Sequence, residues 1–495
     1  MNSLSVAFLI LSFLFSDDYQ GIHEVEWRKH QSEVIRVPSP DRIIPLKTTE
    51  RPLSKIVYGY YPYWMGTSYD YLQYDLLSHI AYFSVELNGD GSLGTVPNVS
   101  ILENLRNIAH SNGAMVMITA TQFDDATIIN LLNSASARTD AVNNLYALVM
   151  TYALDGATID FEFPTNAVKD SLTLFMTELT DCFHTNLPGS HIAIATPAVD
   201  WGNAFDYDEL ALHSDGLFIM AYNYYWSGSS YAGPVSPLPS STLWGTYSVM
   251  WTINNYIQYG IYRDKFILGC PYYGLRWPTE NDSIKSPTRG TGGALTYKRA
   301  ADSSSVYGKL WDDTSKTVWY KNYITGDGWY QGWFDDSLSL RIKYQVVIDS
   351  NLCGAGMWAL GYDGTREELW GALRDAFYYT GIKQAEKREE TREERKLCCH
   401  PNPFTTSTHI TITLPSIGLS AEGKGQRKKT IELKIYDLGG RLVKDFSLGT
   451  VHSSLGTAVS WDGRDNNGTL LPSGIYFCTF TSGQNKKIEK VHFIR

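Results

Sequence analysis

Charge is scarce in this chain. Only 19% of its 495 residues are charged, below the roughly 25% of an average soluble domain, and 52 acidic against 42 basic residues leave a net charge of −10. That balance argues against a general nucleic-acid binder, which needs a basic face toward phosphate. With 43% of residues apolar, disorder over most of the length is excluded as well. Long apolar runs are missing: Val6 to Phe15 falls short of the roughly 20 residues a spanning helix needs, and no later segment does better, so no integral membrane segment is expected. Cysteines are few, at positions 182, 270, 353, 398, 399 and 478, with no C-x-x-C pair and no histidine at ligand spacing. Neither a zinc site nor a disulfide framework is indicated; a bridge from Cys398 or Cys399 to a distant cysteine stays open, and no metal or cofactor is expected. No glycine-rich phosphate loop or G-x-S-x-G turn is present either.

What is present divides the chain. Residues 1–16 hold the short apolar stretch and read as a secretory signal, although no Lys or Arg precedes that stretch and Leu14 stands where a small residue is usual before cleavage. The expected location is outside the cell or on its surface. Residues 17–52 are polar and interrupted by Pro38, Pro40, Pro45 and Pro52, which reads as a linker. From about Lys55 follow eight β-rich apolar runs: Ile56 to Tyr63, His79 to Leu87, Met115 to Thr121, Gly156 to Phe163, His191 to Ala198, Gly216 to Tyr225, Phe266 to Tyr273 and Gly354 to Gly361. Separated by stretches long enough for helices, they predict an α/β fold, a (β/α)8 barrel over residues 53–381. A doubly wound open sheet is the alternative. The wide gap between the seventh and eighth runs predicts an insertion at about 275–335, between strand seven and helix seven, beside the barrel mouth. Residues 382–400 read as a charged linker. Residues 401–495, with short alternating runs between turn clusters, predict an immunoglobulin-like β-sandwich. The basic patch Lys424 to Lys429 falls in a loop there and reads as solvated.

The most informative run is Leu154 to Pro164. As a strand, it places Thr158, Asp160 and Glu162 on one face and Ile159, Phe161 and Phe163 on the other. Two carboxylates would then project inward near the C-terminal end of a barrel strand, where such folds build their sites. Close carboxylates cannot both ionise freely, so one is held protonated and can act as a general acid. An internal ion pair is the structural alternative, disfavoured because no basic residue lies within the run. Aromatics reach 13%; core packing explains most, while flat half-polar rings also suit sugar faces.

Asp155-Gly156-Ala157-Thr158-Ile159-Asp160-Phe161-Glu162 resembles the D-G-x-D-x-D-x-E signature of family 18 glycoside hydrolases, the chitinase family. Tyr58-Gly59-Tyr60-Tyr61, Met220-Ala221-Tyr222-Asn223-Tyr224 and Gly356-Met357-Trp358-Ala359-Leu360 agree with it, and the resemblance covers roughly residues 55 to 380. It implies retaining hydrolysis of a β-1,4 bond after an N-acetylglucosamine unit, assisted by the substrate's own acetamido group. It also implies roles: Glu162 as the acid, Asp160 orienting the acetamido group, Tyr222 donating a hydrogen bond to it, and Trp358 as the floor under the sugar. Tyr60 and Met220 would line the floor, with Asn223, Thr158 and Tyr273 completing the substrate-binding set. The partner implied is an N-acetylglucosamine-containing polysaccharide or oligosaccharide.

Three positions depart from the pattern. Thr158 replaces the middle carboxylate, Asn223 replaces the more common Asp, and Ile118-Thr119-Ala120-Thr121 lacks S-x-G-G. A peptidoglycan- or glycan-directed N-acetylglucosaminidase and a non-catalytic lectin on the same barrel therefore stay open beside chitin hydrolysis. In the C-terminal region, Pro401-Asn402-Pro403-Phe404, Ile435 to Val443, Trp461-Asp462-Gly463 and Pro472 to Phe477 resemble the immunoglobulin-like domain of flagellar hook-capping proteins and the sorting modules of type IX secretion. The resemblance implies contact with secretion machinery or the cell surface. Trp461 and Tyr476 read as sandwich core.

Overall fold

The computed structural model describes residues 19–48, 52–258, 262–378, 396–400, 402, 404–413, 431–437, 441–446, 457–482 and 485–494. The expected signal at 1–16, most of the charged linker and the 424–429 patch lie outside the described residues. The chain divides into two units, one up to residue 378 and one from 379.

In the first unit the strands are β1 (Ile56–Pro62), β2 (His79–Glu86), β3 (Met115–Gln122), β4 (Gly156–Phe161), β5 (His191–Pro197), β6 (Gly216–Met220) and β7 (Phe266–Pro271). There follow β8 (Tyr273–Thr279), β9 (Gly293–Thr296), β10 (Leu310–Asp312), β11 (Thr317–Ile324), β12 (Gly328–Phe334) and β13 (Gly354–Trp358). Strands β1 to β7 and β13 close a parallel barrel in the order β1-β13-β7-β6-β5-β4-β3-β2, so all eight expected runs are its staves and the open sheet is ruled out. These strands read as apolar runs because helices cover the outside while side chains fill the inside, leaving neither face wet; every residue of β4, for instance, is buried. Three of the helices are held at their starts by side-chain caps from Asp124, Ser134 and Asp336, which accept backbone N–H groups of the first turn. Strand β4 must begin with glycine: Gly156 has φ 153°, and a Cβ there would lie 2.0 Å from the His191 carbonyl oxygen.

The insertion is an antiparallel sheet of order β10-β11-β12-β8-β9 with a helix at Tyr297–Tyr307, set between β7 and the helix Ser337–Asp349. Its tryptophans build its own core, Trp319 stacking on Trp333 at 5.1 Å.

The second unit packs a three-stranded sheet (Lys396–His400, Thr408–Thr413, Thr457–Trp461) and a four-stranded sheet (Leu442–Asp445, Ile431–Asp437, Gly474–Ser482, Asn485–Phe493). Trp461 is fully buried and meets Phe404 and Tyr476 at 5.4 and 5.3 Å, the core role expected of it. The expected linker boundary at residue 400 is corrected: Lys396–His400 is already a strand, paired with Thr408–Thr413.

The expectation for 17–52 also needs correction. Residues Ile22–His30 form a helix whose Ile22, His23, Glu24 and Glu26 are buried, and they are buried in the barrel mouth.

Candidate functional site

Strand β4 carries the centre of the site. Ile159 and Phe161 face outward, Phe161 stacking on Phe175 of the surrounding helix layer at 6.2 Å, while Thr158 and Asp160 face the barrel axis, both fully buried. Glu162 follows directly after the strand, its backbone N–H donating to the Gln122 carbonyl at 3.2 Å. Its carboxyl is held well above the usual carboxylate range, first by burial, then by Asp160 and Glu24, with the Glu24 backbone the one opposing influence. Neither oxygen has a hydrogen-bond partner of good geometry. Burial and the neighbouring carboxylates thus favour the protonated form of Glu162, the form a proton donor needs.

Aromatic rings surround the carboxylates. Trp358, at the end of β13, is fully buried, with Phe83 edge-on at 4.8 Å, Tyr60 at 5.7 Å and Trp64 at 6.4 Å. Tyr222 lies just beyond β6 and meets Tyr273 edge-on at 5.9 Å. Burial keeps its hydroxyl far from ionising, so it stays a donor. Tyr273 donates to Asn223 Oδ1 at 2.5 Å, and the Thr158 and Tyr58 hydroxyls hydrogen-bond beneath Asp160. The structure thus brings Glu162, Asp160, Tyr222, Trp358, Tyr60, Asn223, Thr158 and Tyr273 into one constellation. Met220, the last residue of β6, is 5% exposed and joins it through its carbonyl, which accepts from the Tyr222 N–H at 2.8 Å.

The residue that sequence reasoning missed sits in the middle. His23, from the N-terminal helix, is fully buried, with Nδ1 2.7 Å from Asp160 Oδ2 and Nε2 2.7 Å from the Tyr222 hydroxyl. Its ring stacks on Trp358 at 3.8 Å, and Nδ1 lies 3.4 Å from Glu162 Oε1. Asp160 does have a basic neighbour, supplied from over a hundred residues away in sequence. Gly21, just before the helix, passes so close to Glu162 that a Cβ there would lie 1.8 Å from Oε2. Tyr19 packs between Phe163 and Trp226 at 5.3 and 5.0 Å. The only hint in the sequence is helical spacing: His23, Trp27 and His30 recur at i, i+4 and i+7 in an otherwise polar stretch.

Among the described residues, His23, Asp160 and Glu162 are the one group whose ligand atoms, all within 4.8 Å of one another, could hold a metal ion. Both His23 ring nitrogens already sit 2.7 Å from oxygens, so the imidazole is engaged in hydrogen bonds to Asp160 and Tyr222.

Residues 56–363 match the model of glycosyl hydrolases family 18, and residues 399–494 match the secretion system C-terminal sorting domain. The latter marks the protein for secretion or cell-surface attachment, and among the described residues no helix is long and apolar enough to cross a membrane. The chain is 28% identical over 302 residues to human di-N-acetylchitobiase, an alignment covering 54% of this chain and 74% of that protein. It is 22% identical over 316 residues to the cortical fragment-lytic enzyme of Bacillus subtilis, covering 61% and 68% respectively. In fold it resembles the immunomodulatory chitinase of Trichuris suis, with a TM-score of 0.60 at 20% identity over 65% of this chain and 100% of that one. With the family model spanning residues 56–363, most of the barrel unit, and Asp160 and Glu162 buried together at the end of β4, this chain belongs to the glycosyl hydrolases family 18.

Proposed function

We propose that the protein is a secreted hydrolase cleaving β-1,4 bonds after N-acetylglucosamine in chitin or a related polymer, by a retaining mechanism in which the substrate's acetamido group is the nucleophile. The observation carrying this reading is how His23 is held. In the tautomer with its hydrogen on Nδ1, the ring offers an N–H to Asp160 and, across one sp² carbon, a lone pair to the Tyr222 hydroxyl. An acetamido group offers the same pair, an N–H and a carbonyl oxygen on one carbon. The site is thus built for an amide lying over Trp358, a surface suited to the apolar face of a sugar.

The chemistry follows from these positions. Glu162 gives its proton to the glycosidic oxygen as the bond to the anomeric carbon breaks. The acetamido oxygen, already tethered to the reacting sugar, closes on that carbon. Asp160 accepts from the acetamido N–H and stabilises the cationic ring so formed, while Tyr222 orients the attacking oxygen. Glu162, now a carboxylate, takes a proton from the water that reopens the ring, and the two displacements retain the β configuration. The burial of Glu162 beside Asp160, which raises its carboxyl, favours this over a lectin role, since a binding surface has no use for a buried acid.

A second reading is an N-acetylglucosaminidase acting on short glycans or peptidoglycan; the chitobiase similarity favours short glycans. Oligomers of N-acetylglucosamine and their de-N-acetylated counterparts, offered to the protein intact and as the Gly21→Leu variant that crowds Glu162, test the mechanism. Cleavage confined to acetylated sugars is expected; equal cleavage of both would overturn acetamido participation.

A further inference from the structure

The N-terminal segment occupies the place the proposed substrate needs. His23 takes the hydrogen bonds of the acetamido group, its ring covers Trp358, and Gly21 lies against the acid Glu162. The helix is fastened on both sides of the cleft: Glu26 Oε2 accepts from Tyr362 at 3.2 Å, His30 stacks on Trp64 at 4.7 Å, and Trp27 packs on Phe123 at 5.3 Å. No sugar can enter while this helix is seated.

Beyond it the chain descends the outer face of the helix Val99–Ser111 as an irregular strap. Asn98 Oδ1 accepts from the Ile35 N–H, and the Asn104 amide donates to the Pro38 carbonyl, each at 2.9 Å. Asn107 both accepts from the Ile44 N–H and donates to the Arg42 carbonyl, at 2.9 and 2.7 Å, and His110 Nδ1 donates to the Ile44 carbonyl at 2.7 Å. Ile35 and Val37 of the strap pack against the core, while its charged side chains face outward, Arg36, Arg42 and Lys47 being exposed. A buried helix thus hangs from an exposed, proline-interrupted strand with no regular structure to protect it from an endoprotease.

We propose that residues 19–48 are an inhibitory pro-segment and that the strap, residues 31–48, is the site of its activating cleavage. While the strap is intact, the tethered helix is present at high effective concentration and outcompetes substrate. Hydrolysis of one strap peptide bond by an endoprotease, with water adding across that bond, turns the plug into a separate peptide that dilution removes. The enzyme is thereby kept latent until a protease meets it. The proposal rests on the hydrolase reading only for its activity readout.

The test replaces residues 38–45 of the full chain with the recognition sequence of a site-specific protease. Cutting and removal of the released fragment should raise cleavage of N-acetylglucosamine oligomers by about 100-fold if the plug is seated about 99% of the time. Synthetic peptide 19–37 should restore inhibition by raising KM, and the same peptide carrying His23→Ala should not. Uncut Gly21→Leu and His23→Ala chains should be active without proteolysis. Equal rates before and after cutting, with no inhibition by the peptide, would overturn the proposal. Binding of fluorescent peptide 19–37 to the cut protein, displaced by the oligomer, reads the plug without catalysis. Peptide binding with no hydrolysis by any form would sink the hydrolase reading and leave the plug standing; absence of peptide binding would sink the plug.

Discussion

The layer beneath the site should make the protein acid-sensitive through His191. This residue opens β5 and is buried against His79 and Tyr58, with ring centroids 4.3 and 6.1 Å away; Tyr58 in turn hydrogen-bonds Thr158 under Asp160. Burial pushes its imidazole down from 6.5 to about 4, Asp215 opposing and Lys265 and His184 adding to the shift. Nε2 has no hydrogen-bond partner, so the neutral ring is what the fold accommodates. Above the unfolded value both states are neutral and stability is full. As pH falls, the unfolded chain takes up a proton the folded one refuses, and stability drains away until the folded value is passed. The whole loss is about 3 kcal/mol, of which about 2 kcal/mol falls between roughly pH 7 and pH 5. For a barrel of about 325 residues that lowers the melting temperature by about 3 °C. His191→Gln does not titrate, so its melting temperature should fall less over the same interval, whatever its offset at neutral pH. Asp335 and Asp363, raised by burial to about 6 and about 7, act in the opposite direction but equally in both proteins, so they cancel in the comparison. Parallel melting curves for parent and variant across this interval would refute the reasoning.

Two other expectations are simpler to read. Thr158→Asp places a second carboxyl two residues from Asp160 on the same buried face, where it is protonated at neutral pH and shares its proton with Asp160; the variant should have a displaced acid limb and higher turnover, and a pH–rate profile superimposable on the parent's would contradict this. A chain stopped after Gly381 lacks the sorting domain and should accumulate unexported, measured as the extracellular fraction; normal secretion would remove the sorting role from residues 399–494.

Most of the barrel was legible because its strands are buried on both sides and so stand out as apolar runs. The site was legible for a related reason: on β4 the alternation of Thr158, Asp160 and Glu162 with Ile159, Phe161 and Phe163 assigns each face without reference to any other element. The insertion was visible as excess length between β7 and β13. The pro-segment was not, because the residues it buries are mostly polar. His23 and Glu26 are buried against hydroxyls, a carboxylate and the face of Trp358, and a reading that equates polar with solvated sends them to a linker. The same habit placed Lys396–His400 in the charged run before it, although backbone pairing made it a strand. Leu442–Asp445 went unseen because four residues carry too little alternation to register.

The central claim is that Glu162 is the acid of an acetamido-assisted, retaining hydrolysis, and the anomeric form of the first product tests it most directly. Protein cut in the strap and freed of its pro-segment, beside the same protein carrying Glu162→Gln, is given soluble N-acetylglucosamine oligomers and followed by proton NMR before the sugars mutarotate. The account predicts β-anomeric product from the parent and a loss of about 100-fold or more from the variant, the scale of a missing general acid. Initial α-anomeric product, or undiminished cleavage by Glu162→Gln, would contradict it.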